Sequence, residues 1–276
     1  MITSYSDGPY ILDRGDSSLI LFQKTDFTFD SLVISNAEFR NVKFRCSFDS
    51  IDCPTLTFQI RQDSEENYDS IALPNKLIAL SDIEGNYQKY FQLLVSNSVI
   101  DSNYNWIFGE GHLVIVGDLV DRGDYVTQCL WLTYYLEQEA INHGGRVHYL
   151  LGNHEQLVLL GYDNYSSPKY HINYEKAQKD ISQLFDSTSV LGNWLKTRKS
   201  ILKTGDILFV HGGISPSILE YDLSLQKINS EIQRDIATQD FKTDESFALL
   251  TGEGILWYRG LIEPCDELEL LFLSGQ

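Results

Sequence analysis

The apolar positions follow two different periods, and the change between them divides the chain. Up to about residue 72 the apolar runs are short and rich in branched and aromatic side chains, with polar turns between them. Leu19-Ile20-Leu21-Phe22, Leu32-Val33-Ile34 and Leu56-Thr57-Phe58-Gln59-Ile60 are the clearest. Such runs predict strands. Phe39, Val42, Phe44 and Phe48 continue the pattern less regularly. Residues 1–72 therefore predict a small β-rich N-terminal module, a binding or packing appendage with no catalytic cluster. The segment 62–70, with Asp63, Glu65, Glu66 and Asp69, reads as an acidic linker.

A second region, 75–276, repeats a strand, turn and helix. Leu77-Ile78-Ala79-Leu80 predicts a strand that ends at Ser81-Asp82-Ile83-Glu84-Gly85-Asn86. Tyr87, Tyr90, Phe91, Leu94 and Val95 then fall on one helical face. The second strand, Leu113-Val114-Ile115-Val116, ends at Gly117-Asp118-Leu119-Val120-Asp121-Arg122-Gly123. A helix follows from about Asp124 to Asn142 and stops before Gly144-Gly145. The third strand, Val147-His148-Tyr149-Leu150-Leu151, ends at Gly152-Asn153-His154-Glu155. Alternating strands and helices predict an α/β fold with parallel pairs.

Beyond it, Ala177, Ile181, Leu184 and Phe185 keep helical spacing, and Leu191, Trp194, Leu195 and Arg198 suggest another helix. Ile201-Leu202-Lys203 and Ile207-Leu208-Phe209-Val210 read as a hairpin across Thr204-Gly205-Asp206, ending at His211-Gly212-Gly213. Leu225, Ile228, Ile232 and Ile236 mark a last helix, and Leu256-Trp257-Tyr258-Arg259-Gly260 follows it. Tyr162, Tyr165, Tyr170 and Tyr174 surround His171 in a loop that could line a substrate cleft; a solvent-facing loop with aromatic anchors is the favoured reading.

Composition narrows the function. The net charge is -18, from 39 acidic and 21 basic residues. This argues against general nucleic-acid binding, which needs a basic footprint. There is no apolar run long enough for a transmembrane helix and no visible signal peptide, so no membrane association and a cytoplasmic location are expected. Cys46, Cys53, Cys129 and Cys265 form no metal-knuckle spacing; Cys46 and Cys53 could pair, but free core thiols are the favoured reading.

The strand ends carry the chemistry. Asp82 and Glu84, then Asp118, Asp121 and Arg122, then Asn153 and His154, then His211 lie at successive ends, where ligands of open α/β sheets bind. Carboxylates, an amide oxygen and imidazoles suit a two-metal site in which one carboxylate bridges cations about 3.5–4 Å apart. Asp118, on the central turn, is the natural bridge. Asp82 and Glu84 would complete one metal, Asn153 and His211 the other. The mixed donors suit Mn, Fe or Zn. Arg122 can hold phosphate oxygens with its planar fork. His154, its tautomer fixed by Asp121, would be the general acid for the leaving oxygen.

These motifs resemble the metallophosphoesterase superfamily (calcineurin-like), and within it the phosphoprotein phosphatase-like branch. That family carries GDxHG, GDxVDRG, GNHE and HGG in this order. The corresponding stretches here are Ser81-Asp82-Ile83-Glu84-Gly85, Gly117 to Gly123, Gly152-Asn153-His154-Glu155 and His211-Gly212-Gly213. The segment Leu256-Trp257-Tyr258-Arg259-Gly260 resembles bacterial members. The resemblance implies a β-sandwich flanked by helices (α/β/β/α) and a dinuclear metal centre. It also implies phosphate binding by Arg122 and Arg259 and, for His154, Asp121 and Asp118, the roles given above.

Two departures stand out. Glu84 occupies the place of the family's histidine, which shifts metal preference toward Mn, Mg or Fe(II) over Zn. The family also has a further metal-ligand histidine beyond HGG, whereas no histidine follows His211 here. Either the chain is truncated or one metal is under-coordinated; Leu270-Leu271-Phe272-Leu273 reads as an element begun and then cut, so C-terminal truncation is the favoured expectation. His112, His143, His148 and His171 match no motif and read as structural or exposed.

The expected function is metal-dependent phosphomonoester hydrolysis by a dimetal-activated hydroxide, on a phosphorylated protein, nucleotide or small ester. His154, Asp121, Arg122 and Arg259 are the catalytic candidates. Arg122, Asn153 and Arg259 would bind substrate, and Asp82, Glu84, Asp118, Asn153 and His211 the metals. A phosphodiesterase or dinucleoside polyphosphate hydrolase is the rival within enzymes. A weakly active metal- and phosphate-binding interaction module is the rival outside them.

Overall fold

Short apolar runs become six strands at the start of the computed structural model, which describes residues 1–5, 7–48, 51–61, 68–239 and 249–260. They are β1 (Ile2–Tyr5), β2 (Tyr10–Asp13), β3 (Ser17–Gln23), β4 (Phe29–Ser35), β5 (Phe44–Ser47) and β6 (Leu56–Phe58), with a helical turn α1 (Asn36–Phe39) after β4. β2, β3 and β4 form an antiparallel meander; β1 pairs parallel with β5, and β5 antiparallel with β6.

These sheets do not stand apart from the rest. Tyr10, Ile20, Phe44 and Leu56 share one hydrophobic core with Tyr90, Leu130 and Trp131. Phe58 stacks on Trp131 with centroids 4.6 Å apart, and Trp131 Nε1 donates to the Pro9 carbonyl at 3.0 Å. The expected boundary near residue 72 is also bridged by β7 (Ser70–Ile71), which pairs with a strand far along the chain. Most of the expected linker, 62–67, lies outside the described residues, as do Cys265 and the stretch 270–273.

From Leu77 the elements are β8 (Leu77–Leu80), α2 (Tyr87–Ser96), β9 (His112–Val116), α3 (Val126–Asn142), β10 (Arg146–Leu150) and α4 (Asn153–Leu159). Then come α5 (Pro168–Ala177), α6 (Ile181–Leu184), α7 (Val190–Lys196), β11 (Ile201–Thr204), β12 (Ile207–Val210), α8 (Pro216–Leu219) and α9 (Leu225–Thr238). β9 lies between β8 and β10, all parallel. The second sheet has the order β12-β11-β7, with β11 antiparallel to β12 and parallel to β7.

β9 explains how the two sheets meet. Leu113 and Ile115 enter the main core, while Val114 and Val116 pack in a second cluster with Leu150, Leu202, Leu77 and Phe209. Side chains alternate across a strand, so an unbroken apolar run is buried on both faces. The second cluster joins side chains of the two sheets, and helices cover the outside, giving the α/β/β/α sandwich.

The tyrosine-rich stretch is not the expected loop. Residues 168–177 form α5, with Pro168 in its first turn, where the missing N–H costs nothing. Tyr170 and Tyr174, one turn apart, are buried. The helical spacing from Ala177 to Phe185 is also interrupted: Gln178 caps α5 with φ 53°, and Asp180 starts α6. Among the described residues Cys46, Cys53 and Cys129 are free thiols, and no helix is long and apolar enough to cross a membrane.

Candidate active site

Three turns converge at the C-terminal ends of β8, β9 and β10, and backbone geometry singles them out. Asp82, Glu84, Asp118, Asp121 and Arg122 all have φ between 50° and 68°. The left-handed region is costly for residues other than glycine, least so for Asp, whose short side chain bonds locally. Such strain persists only where surrounding bonds hold it. Here Asp82, Glu84 and Gly85 N–H donate to the carbonyls of Gly117, Asp118 and Leu119 at 3.2, 2.9 and 2.9 Å. In return Gly123 N–H donates to Glu84 O at 2.8 Å. A Cβ on Gly123 would collide with that carbonyl, so the turns can approach only through glycine.

Glu155 holds the central turn from beneath. It is fully buried and accepts from the N–H groups of Asp118 (2.8 Å), Leu119 (2.8 Å), Val120 (3.3 Å) and Gly152 (2.7 Å), and from Tyr149 Oη (2.8 Å). Burial pushes its pKa up, Asp118 adds to that push, and the donors oppose it. The sequence reading gave this residue no role. Its signal was present: a Glu at the third position of a helix reaches back to the residue before it, here Gly152.

Asp118 is 3% exposed. Its Oδ2 lies 3.2 Å from His211 Nε2 and 3.9 Å from His154 Nε2, and its Oδ1 accepts from His154 N–H at 3.0 Å. His211 Nδ1 donates to the Val116 carbonyl at 2.8 Å, which leaves Nε2 facing Asp118 and, at 3.0 Å, Asn153 Oδ1. Three acceptor atoms thus meet. A proton on Nε2 or a cation between them relieves the clash. Burial opposes the proton, while Asp118 draws the His211 pKa upward overall. A histidine whose second nitrogen is fixed by a carbonyl is also the usual form of a metal ligand.

The donors fall into two groups. Ligand atoms of Asp82, Asp118 and His211 lie within 4.8 Å of one another, and so do those of Glu84, Asp118 and His154. Asp118 belongs to both. Asp82 thus lies with His211 and Glu84 with His154, whereas the sequence expectation set Asp82 beside Glu84 on one metal. The donor chemistry fits divalent cations, with Asp118 shared.

His154, 2% exposed, pairs through Nδ1 with Asp121 Oδ2 at 2.8 Å. Its Nε2 accepts from Arg122 Nη2 at 3.1 Å, which assigns the Nδ1–H tautomer. Arg122 Nη1 is ion-paired to Glu84. Arg259 Nη2 donates to Asn153 Oδ1 at 3.2 Å. Its segment is held by Gly212 N–H on Ile255 O (2.8 Å) and Trp257 Nε1 on Gln156 Oε1 (2.7 Å). Every nominated site residue is therefore in this cluster. The four histidines without a motif are not: His112 and His148 face each other at 3.1 Å, His143 bonds Glu139 O and His171 pairs with Asp163.

One neighbour, named in the sequence only as part of the tyrosine-rich stretch, reaches the site. Tyr165 lies in the segment between α4 and α5, its carbonyl accepts from Arg122 N–H at 2.9 Å, and its ring meets His154 edge-on at 4.9 Å. Nothing in its spacing marks it out.

The sequence profile of the calcineurin-like phosphoesterase family matches residues 76–258. The Shewanella-like protein phosphatase 1 of Plasmodium berghei is 31% identical over 218 residues, 73% of this chain and 58% of that protein. The serine/threonine-protein phosphatase 2B catalytic subunit A2 of Saccharomyces cerevisiae is 29% identical over 58% of this chain and 22% of its own. In structure, the cold-active protein-tyrosine phosphatase of a psychrophilic Shewanella species superposes with a TM-score of 0.81. It is 32% identical, over 98% of this chain and 81% of that one. The chain spans between 51% and 61% of the length of the three curated relatives it matches first.

Proposed function

We propose that this chain, which belongs to the calcineurin-like phosphoesterase family, is a metal-dependent phosphomonoesterase acting on phosphoproteins. The observation that carries the reading is Asp118, a buried carboxylate common to two groups of possible donors, in a cluster where Arg122 bonds His154 and Arg259 bonds Asn153. Asp82, Glu84, Asp118, Asn153 and His211 would hold two divalent cations, of which Mn, Fe and Zn suit the mixed oxygen and nitrogen donors. When bound, such a pair supplies water acidified toward neutral pH and positive charge for the phosphoryl oxygens.

The rest is work for the chain's own side chains. Arg122 now spends both ends of its fork, on Glu84 and on His154. A phosphate dianion entering the cluster would compete for that fork, and Glu84, released from Arg122, would be free to serve as one of the residues that hold a cation. Arg122 leaving Nε2 exposes the one nitrogen of His154 that Asp121 does not hold. Protonated there, His154 donates to the departing oxygen of the alcohol or phenol, and Asp121 keeps the ring aligned. Arg259 and the Asn153 amide complete the phosphate cradle.

Relatives named as serine/threonine, tyrosine and Shewanella-like protein phosphatases support a phosphoprotein substrate. The test is hydrolysis of p-nitrophenyl phosphate and of phosphopeptides by chelator-stripped protein reloaded with Mn(II), Fe(II) or Zn(II). Metal-dependent release of phosphate is expected. Activity only on diesters or dinucleoside polyphosphates would move the function to the rival class, and no uptake of metal would remove the enzyme reading altogether.

A further inference from the structure

We propose that Tyr165 is a specificity-determining residue that favours phosphoesters whose leaving group is a flat aromatic ring. The inference rests on the phosphomonoesterase reading and adds to it the wall past which the leaving group departs.

Tyr165 is 50% exposed, although a tyrosine ring gains by burial. His154, against which it packs, is 2% exposed. The ring centroids are 4.9 Å apart at 74°, an edge-to-face arrangement, and half of the residue remains open to solvent. Its position is set by the backbone rather than by a flexible tether. The Tyr165 carbonyl accepts from Arg122 N–H at 2.9 Å. The next two residues are bound to the same turn, Ser166 Oγ to Asp121 Oδ1 at 3.3 Å and Ser167 Oγ to Asp124 Oδ1 at 2.7 Å. Three successive residues of this strap are thus tied to the turn that carries Asp121 and Arg122.

The chemistry follows from where the bond breaks. The leaving oxygen must come to His154 Nε2 to take its proton, because Nδ1 is held by Asp121. The carbon attached to that oxygen then extends outward beside the ring that covers His154. An aromatic leaving group can stack on or meet the exposed side of Tyr165; a serine side chain offers it only a methylene. An aromatic pair of this kind corresponds to about a 3- to 10-fold gain in kcat/KM. The ring supplies this contact and the phenol hydroxyl is not needed for it.

The experiment compares the metal-loaded protein with Tyr165→Ala, Tyr165→Leu and Tyr165→Phe, on a phosphotyrosine peptide and on the same peptide bearing phosphoserine. Tyr165→Ala and Tyr165→Leu are expected to raise KM for the phosphotyrosine peptide about 3- to 10-fold. They should change kcat/KM for the phosphoserine peptide by less than about twofold, and Tyr165→Phe should match the parent on both. Equal losses on the two peptides, mainly in kcat, would mean that Tyr165 only props up His154, and would overturn the proposal alone. A parent protein that cleaves neither peptide nor p-nitrophenyl phosphate would instead overturn the phosphomonoesterase reading beneath it.

Discussion

Arg122 is ion-paired to Glu84 and donates to His154 Nε2 at 3.1 Å, so a proposed phosphate ligand is held between a proposed metal ligand and the proposed general acid. The Arg122 side chain is 52% exposed and Glu84 22%, so this pair is well solvated and adds little stability. Its interest is that it can come apart. Arg122→Ala is expected to lower kcat/KM about 10²- to 10³-fold, the loss typical of removing one charge-stabilising donor. Arg122→Lys should recover little, because an ammonium cannot form the bidentate fork. Glu84→Ala should weaken Mn(II) binding at least about 10-fold by calorimetric titration, since even outer partners of a metal site reach that figure. Unchanged affinity would leave Glu84 as a tether for Arg122 only.

His154→Asn is expected to cut kcat about 10²- to 10⁴-fold while metal content stays at the parent value. The loss should be smaller on p-nitrophenyl phosphate than on phenyl phosphate, because nitrophenolate leaves without needing a proton. Asp121→Asn should follow the same pattern, as its amide no longer fixes the Nδ1–H tautomer. Steady-state kinetics on the two esters decide this; equal losses on both would place the proton donor elsewhere.

Glu155 is expected to matter as much as the ligands although it faces none of the substrate. Glu155→Ala orphans four main-chain N–H groups and the Tyr149 hydroxyl. The cost is about 3 kcal/mol or more, since buried donors lose their partner outright. Urea denaturation should show that loss, and metal titration should show weaker binding, because the Asp118 turn is no longer held in its left-handed conformation.

Asp7 joins the N-terminal sheets to the catalytic region. Its carboxylate, fully buried, accepts from Gly8 N–H, Tyr10 Oη, Thr127 Oγ1 and Asn173 Nδ2. Asp7→Ala should cost about 3 kcal/mol in urea denaturation. Burial raises its pKa in the fold, against the opposing pull of Lys169 and the donors. The folded state therefore holds the proton more tightly than the unfolded chain. That contribution is complete below about pH 3.9 and is lost as pH rises through the folded pKa. Asp7→Asn, which cannot titrate, should remove this part of the pH dependence. We further propose that residues 68–276 do not fold alone, because Trp131 would lose Phe58 and the Pro9 carbonyl; a cooperative unfolding transition in that fragment would contradict this.

Much of the arrangement was legible because local rules and global fold agree. β8, β9 and β10 are short apolar runs, β9 buried on both faces, and each ends in a turn rich in glycine and acids. Their convergence follows from parallel pairing alone. The core that residues 1–72 share with later elements is not legible in spacing: Phe58, Tyr10 and Leu56 look like the core of a small sheet, and composition does not say which surface they meet. α5 was hidden because its tyrosines, lysine and asparagine carry no continuous apolar stripe, although Ser167-Pro168 marks its start. Tyr165 could not be found from spacing, since its position depends on a hydrogen bond between its carbonyl and Arg122 across 43 positions of chain. The Asp82 and His211 grouping likewise depends on how deeply each side chain reaches.

Asp118 is proposed to serve two cations at once, and metal stoichiometry decides whether it does. Chelator-stripped protein and Asp118→Asn are each equilibrated with Mn(II), and bound metal is counted by elemental analysis beside a thermal unfolding curve. The parent should bind about two ions per chain with a raised Tm, and Asp118→Asn fewer than about one with no hydrolysis of p-nitrophenyl phosphate. Equal metal content and equal activity in the two proteins would contradict the claim and place the reaction outside this cluster.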